Sequence, residues 1–496
     1  MGNPMSARAH GAASPETETH RPWRWLLLIA LVILVREVLL AVHGAPFAHY
    51  SDEMWQFMSK EDLKLPLKSL LYLHSQPPLW NFMFWWSHHL LGDHSLLMWV
   101  NKLSTYVAAG ALFAIMRPWC SRAAALGIAG VFVFLPATIA YENWDYSCHF
   151  TMMLVAVNLM LFSKATQAAA GSPARLRWVW AWVLSMVVLG FNRQTYSIVI
   201  LLGLLGLFGV VTLKLRWGQL LLMAVVMSLP FAAWQVKNQR LFDSPSMSSW
   251  APRNLFRIAT IRMSPTELQA AQAAGCGDVT TILPFSRPEA YRQLPEVQAF
   301  VQAHAALRQL MPQGNGDMNS LEYAASSPLY MKSFTCVVKR QPMGYLFTVA
   351  QGWALYFTPA SDYQFVQKGA APWYPIDSLI RKVIYLQPKD DPRGVRDMAQ
   401  RVGGRSLTLM LVFAYFSWLA LRELLSRGAL QAGRPQTLIF YAMLVVWFNA
   451  LSNFFDVGEN MRFRYDVDAL YDLGIVLLGA RLWHLIRRRR PAAAAR

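Results

Sequence analysis

The chain has 496 residues, of which 55% are hydrophobic and only 15% charged. Soluble domains carry about 25% charged residues, and this apolar excess, with 20 Trp and 23 Met, excludes a disordered, collagen-like or small disulfide-stapled protein. A net charge of +18 would prompt a nucleic-acid reading in a soluble chain. Here Lys and Arg fall where a membrane topology puts them, and no nucleic-acid partner is expected.

In chain order, residues 1–24 are polar and predicted to be a disordered cytoplasmic tail. The first apolar run, 25–42, follows Arg21 and Arg24. It is too long for a typical signal peptide and no small-residue cleavage site follows, so it is read as an uncleaved anchor. Arg36 and Glu37 near its outer end should face protein rather than lipid. Further spans are predicted near 97–116, 123–140, 148–162, 178–190, 197–211, 220–234, 407–421, 438–451 and 470–485. Several are nearer 15 residues than the roughly 20 that a span needs, so the total is about ten. With the N-terminus inside, the turns holding Arg117 and Arg122, Lys164, Arg175 and Arg177, Lys214 and Arg216, and Arg422, Arg427 and Arg434 all become cytoplasmic, as does the basic tail 486–496.

This gives an all-α polytopic fold with an N-terminal membrane module at 25–234, whose first outer loop is 44–96, and C-terminal membrane helices at 407–485. Between them, 235–406 has the texture of a mainly helical extracytoplasmic cap. The apolar stretch 343–357 could be an eleventh span, but that would place the Arg-rich tail outside. It is read as an interfacial helix, or one packed within the cap. In the cap, Ser264-Pro265-Thr266-Glu267 is a capping box that opens a helix ended by Gly275. A second helix spans 295–310 and is closed by Pro312 and the Gly314/Gly316 turn. Cys276 and Cys336 both fall in the cap; a disulfide in an oxidising space and two free thiols are both open.

The first outer loop holds the most informative residues. Asp52 and Glu53 lie just beyond the first apolar run. They suit the first turn of a short helix capped by Ser51, or a pair of acids held at the lipid–water boundary for chemistry. Gln76-Pro77-Pro78-Leu79 fixes an extended turn, and the aromatic run from Trp80 to Trp86 suits an interfacial helix. His74, His88, His89 and His94 read as interfacial side chains rather than metal ligands.

An Asp-Glu pair in the first outer loop, followed by a Gln-Pro-Pro-Leu-aromatic element, resembles the GT-C membrane glycosyltransferases. The likeness is to the branch containing protein O-mannosyltransferases and lipid A aminoarabinose transferases. Gly190-Phe191-Asn192-Arg193-Gln194 and Glu459-Asn460-Met461-Arg462-Phe463-Arg464-Tyr465 extend the resemblance, which covers the membrane region and says little about the cap. Gln76 stands where many members have His. The resemblance implies a GT-C-like bundle, a sugar donor on a polyprenyl phosphate, and an acidic base in the first outer loop. Asp52 matches that base, with Glu53 beside it.

The chemistry suits these residues. A polyprenyl phosphate keeps its phosphate at the interface, and its departure develops negative charge that fixed cations stabilise. Arg193, Arg462 and Arg464 are the candidate phosphate ligands because guanidinium binds phosphate in a bidentate fork. Arg193 is equally suited to snorkelling from a helix end, and Arg462 and Arg464 to ion pairs with Glu459, Asp466 or Asp468. Glu142, Trp144 and Asp145 form a second acidic outer loop that would meet sugar hydroxyls, hold Mg²⁺ or Mn²⁺ together with Asp52, or simply be a solvated loop. Gln76, Glu459 and Tyr465 join the supporting set.

The leading expectation is an inverting glycosyltransferase of a bacterial inner membrane, its site facing the periplasm. Its acceptor would be a glycan, a lipid or a protein. A secondary transporter is disfavoured by the lack of repeated halves and of paired broken helices. A non-catalytic envelope assembly protein is the other alternative.

Overall fold

The computed structural model describes residues 22–44, 58, 64, 66–93, 95–311, 319–367, 371–387, 405–425 and 430–489. Among these residues every regular element is helical. The chain divides into two compact units, Met1–Gly44 and Ala45–Arg496. The first contributes the helix Pro22–His43, in which Arg36 pairs with its neighbour Glu37 at 2.9 Å, so these two charges meet each other within the apolar helix. Gly44, at φ +75°, ends it.

In the second unit six helices are long and apolar enough to cross a membrane: Ser95–Met116, Cys148–Gln167, Pro173–Asn192, Trp217–Phe242, Leu407–Leu425 and Pro435–Phe454. Arg122–Val133 and Pro136–Glu142 make a seventh if read as one span bent by 56°. The bend has a local cause. Pro136 has no N–H to donate and forces Leu135 into an extended conformation (ψ 131°). The expected run 197–211 is the shorter apolar helix Ile198–Thr212, and 470–485 lies within Asp468–Arg489. All ten apolar runs are therefore helical; six or seven have the length and hydropathy of a span. The protein is a multi-pass helical membrane protein.

Proline sets many of the starts. It occupies the first helical turn at Pro78, Pro136, Pro173, Pro265, Pro295, Pro342 and Pro435, where its missing N–H costs no hydrogen bond and its φ is already helical. The membrane helices share one apolar core, which includes Trp182, Met186, Phe208, Met227 and Tyr441. A largely buried polar knot ties three of them together. Asn158 donates to Ser185 Oγ at 2.7 Å, Trp182 Nε1 donates to Tyr441 Oη at 2.9 Å, and Tyr441 donates back to Asn158. Satisfied hydrogen bonds of this kind specify which helices neighbour one another in lipid.

The region from 243 to 387 has its own core around Phe256, Tyr291, Tyr323 and Tyr330. Arg253 is wholly buried there, donating to the Ser249 and Tyr323 carbonyls at 2.9 and 2.6 Å and lying 4.3 Å from the Tyr323 ring centre. The capping box on Ser264 forms with both of its bonds, and its helix is Pro265–Ala271, with Gly275 beyond it at φ +82°. The expected helix over 295–310 is two pieces, Pro295–Ala303 and Ala305–Leu310, broken at His304; Pro312, Gly314 and Gly316 lie outside the described residues. The apolar stretch 343–357 is the helix Pro342–Tyr356. Its Trp353 packs against Phe413 and Trp447 of two candidate spans, and Gly352 abuts Asn460.

Cys276 and Cys336 are joined in a disulfide, with Cα atoms 5.4 Å apart and 60 residues between them in sequence. Closing a loop of that size stabilises the folded chain by about 4 kcal/mol on chain-entropy grounds. The denatured, unreduced protein is expected to take up maleimide at Cys120 and Cys148 alone, and at all four cysteines after reduction. Labelling of all four without reductant would contradict the bond. Reduction should also lower the thermal midpoint.

Candidate functional site

Three stretches of chain, remote in sequence, meet around one cavity. The first is the end of the helix Pro173–Asn192. It starts where Ser172 accepts from Arg175 N, and it ends where Arg193 turns extended (φ −141°, ψ 118°). A Cβ on Gly190 would fall 2.5 Å from Phe231 Cζ and 2.9 Å from Tyr196 O. Glycine here lets the helix end press against Trp217–Phe242 and folds the segment 193–197 over it.

The second stretch follows the helix Pro435–Ala450. A turn over Leu451–Phe454 and Gly458, at φ +101°, leads into the short helix Asn460–Tyr465. Buried amides hold this segment. Asn460 accepts from Gly458 N at 2.9 Å and donates to Asn453 Oδ1 and Asp456 O at 2.7 and 3.0 Å. Asn449 donates to Phe463 O at 2.9 Å and accepts from Tyr356 Oη at 3.0 Å. Residues two apart on a helix point to opposite sides, so Arg462 and Arg464 diverge. Arg462 lines the cavity. Arg464 turns away to pair with Asp468 and to donate to Thr358 O at 3.1 Å.

The third stretch is the helix Ala251–Thr260. Asn254 and Arg257, one turn apart, both line the cavity. Arg257 Nη2 donates to Asp456 Oδ1 at 2.5 Å and to Val457 O at 2.6 Å, joining this helix to the second stretch.

The cavity, half open to the outside, measures about 890 Å³, near the upper end of the roughly 300–1,000 Å³ of small-molecule sites. One part of its wall is apolar, with Ile200, Phe231, Phe448 and Leu451 from the membrane helices. The rest carries Arg193, Arg257, Arg462, Asp456 and Glu459, with Gln76, Gln194, Asn254 and Gln364. Arg193 is 8% exposed and Arg462 3%. Each cavity arginine has a carboxylate partner: Arg193 with Asp466 at 2.9 Å, Arg257 with Asp456, and Arg462 with Glu459. Tyr146 lies beneath two of them, 4.8 Å from Arg462 and 5.9 Å from Arg193; the Phe463 ring is 5.0 and 5.3 Å away.

Charge is shared unevenly among the acids. Burial pushes the Asp466 carboxyl up to about 6 despite Arg193 beside it. Burial likewise raises Asp456 against the pull of Arg257. Burial acts on Glu459 too, but Arg462, Arg257 and the Tyr363 hydroxyl together hold it below the usual carboxylate range. Hydrogen-bonding capacity is left over: among the described residues Arg193 Nη2, Arg257 Nε, and Arg462 Nε and Nη1 are buried and meet no protein acceptor.

Of the residues singled out from sequence, Gln76, Arg193, Glu459 and Arg462 line this cavity. Asp52 and Glu53 lie outside the described residues. Glu142, Trp144, Asp145 and Tyr465 stand outside the lining. Trp144 is fully buried and stacks on Tyr146 with ring centres 4.8 Å apart. Trp80 Nε1 donates to Asp145 O at 3.2 Å. Glu142 accepts from Thr105 Oγ1, which sits 2.9 Å from His149 Nε2; His149 Nδ1 is 2.7 Å from Tyr465 Oη. Tyr465 in turn stacks on Tyr141 at 3.6 Å. Among the described residues no three His, Cys, Asp or Glu side chains are grouped to hold a metal ion, and Glu142 is engaged with Thr105.

The Pro-Pro element forms as read. Pro77 is extended (φ −56°, ψ 147°) and the helix Pro78–Leu91 opens on Pro78. Just before it, His74 is a buried residue rather than an interfacial one. Its Nδ1 is 2.9 Å from Ser249 Oγ and its Nε2 2.9 Å from Asn319 O, and burial pulls it down to about 3, so it stays neutral. Ser249 N donates to His74 O at 2.9 Å, and Asn319 Oδ1 accepts from Ser75 N at 3.2 Å. These bonds fix the approach of Gln76 to the cavity. Arg257, Asp456, Tyr146 and Asn254 were not anticipated; the only sequence signal for the first and last was their spacing of three within one amphipathic helix.

No protein-family profile and no curated protein matches the chain. Two solved structures are similar to it over more than nine-tenths of its length, both of ArnT from Cupriavidus metallidurans. One is in the apo state, with 12% identity, 91% of this chain and 78% of that chain covered, and a TM-score of 0.32. The other is bound to undecaprenyl phosphate, with 13% identity, 93% and 80% coverage, and a TM-score of 0.34.

Asp466 neutralises Arg193 only when ionised. With its carboxyl raised to about 6, lowering the pH from 7.5 to 5 protonates it and leaves one more uncompensated positive charge beside the cavity. Affinity for a dialkyl phosphodiester, which keeps a single charge over this range, is expected to tighten on the order of tenfold. Asp466→Asn should reduce that pH dependence, the remainder coming from Asp456, which burial also raises, as measured by equilibrium binding.

Proposed function

We propose that the protein is a membrane glycosyltransferase that moves one sugar from a polyprenyl-phosphate donor to an acceptor outside the cytoplasm. The observation that supports this reading is the convergence of three arginines, Arg193 and Arg462 buried and Arg257 partly so, each with an unused buried N–H donor, on a cavity part of whose wall is apolar and built from membrane helices. A lipid phosphate is amphipathic in the same sense. Its oxygens would take the guanidinium donors of Arg193 and Arg462, and its first isoprene units would lie against Ile200, Phe231 and Phe448.

In the reaction, the acceptor oxygen bonds to the anomeric carbon while the bond from that carbon to the phosphate oxygen breaks. The electron pair leaves with the polyprenyl phosphate, where Arg193 and Arg462 stabilise the growing negative charge. The acceptor proton passes to Asp52, the acid that the sequence resemblance assigns as base. Direct displacement on the face opposite the phosphate inverts the anomeric centre. Gln76, Gln194, Asn254 and Gln364 would meet sugar hydroxyls with neutral donors and acceptors. The site would open to the periplasm of a bacterial inner membrane, and the acceptor would be a glycan, a lipid or a protein.

Purified protein offered polyprenyl-phosphate sugars and envelope extract is expected to transfer sugar. Arg462→Gln should cut turnover about 10–100-fold, from the loss of a charge-assisted bond of about 1.5–3 kcal/mol. Asp52→Asn should abolish transfer while the protein remains folded by thermal shift. Near-normal turnover in a folded Asp52→Asn variant would remove Asp52 as the base. Lipid mass spectrometry of a strain lacking the protein should show the accumulated donor and the missing product.

A further inference from the structure

The helix Tyr374–Val383 has its polarity inverted relative to a surface helix of a soluble domain. Its Asp377 and Arg381 face inward. Arg381 donates to Asp377 Oδ2 at 2.6 Å, to Asp362 Oδ1 at 2.5 Å and to Ser361 Oγ at 2.9 Å, and Asp377 and Arg381 are both buried. Three apolar residues face outward, Ile376 at 46% exposure, Leu379 at 61% and Val383 at 64%, while Ile380 packs on the membrane core. Their spacing of three and four puts them on one stripe. Ile384 and Leu386, both exposed, extend the stripe beyond the helix end.

What covers this stripe follows from where the helix is fastened. Ser406 Oγ donates to Tyr385 O at 2.8 Å and Thr408 Oγ1 to Ile384 O at 2.5 Å. The end of the helix is thus bonded to the first turn of the candidate span Leu407–Leu425. That span exposes Leu407, Met410 and Leu411, so the outward stripe continues the apolar surface of a membrane-crossing helix at the level where the span begins. Lys382 and Arg405 are exposed beside it.

We propose that Tyr374–Val383 is a membrane-surface helix, lying in the plane of the bilayer with Ile376, Leu379 and Val383 at the acyl-chain boundary and Lys382 and Arg405 meeting anionic headgroups. The buried Asp377–Arg381 network then anchors the region before the span to the lipid surface without exposing a charge to hydrocarbon. This assignment is independent of the proposed transfer reaction, since it needs only that the chain spans a membrane.

The test uses the full chain with Cys120→Ala, carrying a nitroxide on Leu379→Cys, Ile376→Cys or, as a water-exposed control, Thr266→Cys. Each is reconstituted in vesicles of phosphatidylcholine and phosphatidylglycerol, and power-saturation EPR compares collisions with oxygen, which partitions into lipid, and with a water-soluble nickel chelate. Labels at 376 and 379 are expected to favour oxygen several-fold over nickel, and the label at 266 the reverse. Nickel access at 379 equal to that at 266 would overturn the proposal. Dipolar broadening at 376 and 379 would also overturn it, by showing that a second copy covers the stripe.

Discussion

A guanidinium taken out of water must be paired. The effective penalty for burying one ion is several kcal/mol even after relaxation, and removing one partner of a buried pair costs about 3–5 kcal/mol. This chain gathers three arginines around one cavity, Arg193 and Arg462 buried and Arg257 partly so, and meets the constraint with acids drawn from 456–466. Arg193 reaches across 273 residues to Asp466, and Arg257 across 199 residues to Asp456. The end of a membrane helix and a helix of the 243–387 region are therefore tied to the same short segment. The site exists because that segment is where the charges are balanced.

The segment keeps its shape by a different means. Asn449, Asn453 and Asn460 are all wholly buried and settle the backbone around Gly458 with neutral amide bonds. Amides satisfy buried carbonyls without the ionic desolvation cost, leaving the charged groups to face the cavity. The same division recurs at Gln76. Its approach is fixed by His74, held neutral by burial, and by the side chains of Ser249 and Asn319. On the far side Trp144, Tyr141 and Tyr465 stack behind Tyr146, so the ring under Arg462 rests on a rigid aromatic wall.

Much of this was legible in the sequence because lipid imposes a coarse, one-dimensional code. Runs of apolar residues became helices at the expected places, and Arg193 stood out as a charge at the end of such a run, Arg462 through the family resemblance of 459–465. Finer placement depends on angles that spacing does not give. Arg464 reads like Arg462, yet two positions along a helix rotate it away to Asp468. Glu142, Trp144 and Tyr465 have the residue types of a sugar site but stand behind the cavity wall rather than in its lining, because acids and aromatics buttress a cavity as readily as they line it. Arg257 sits among Arg253 and Arg262, where only three-dimensional proximity to Asp456 separates a lining residue from Arg253, enclosed by tyrosines. The bend at Pro136 was signalled by the proline, but its size was not.

Pairing neutralises charge faster than it uses up donors. A guanidinium carries one charge but five N–H groups, so one carboxylate cancels its charge while leaving several donors unspent. Around the cavity, Arg193, Arg257 and Arg462 are balanced by Asp466, Asp456 and Glu459, while Arg193 Nη2, Arg257 Nε, and Arg462 Nε and Nη1 still lack an acceptor among the described residues. Such a site attracts a ligand less by net field than by directed hydrogen bonds. It therefore suits a group with many acceptor oxygens and little net charge better than a compact, highly charged anion, which would find the nearby acids opposing it.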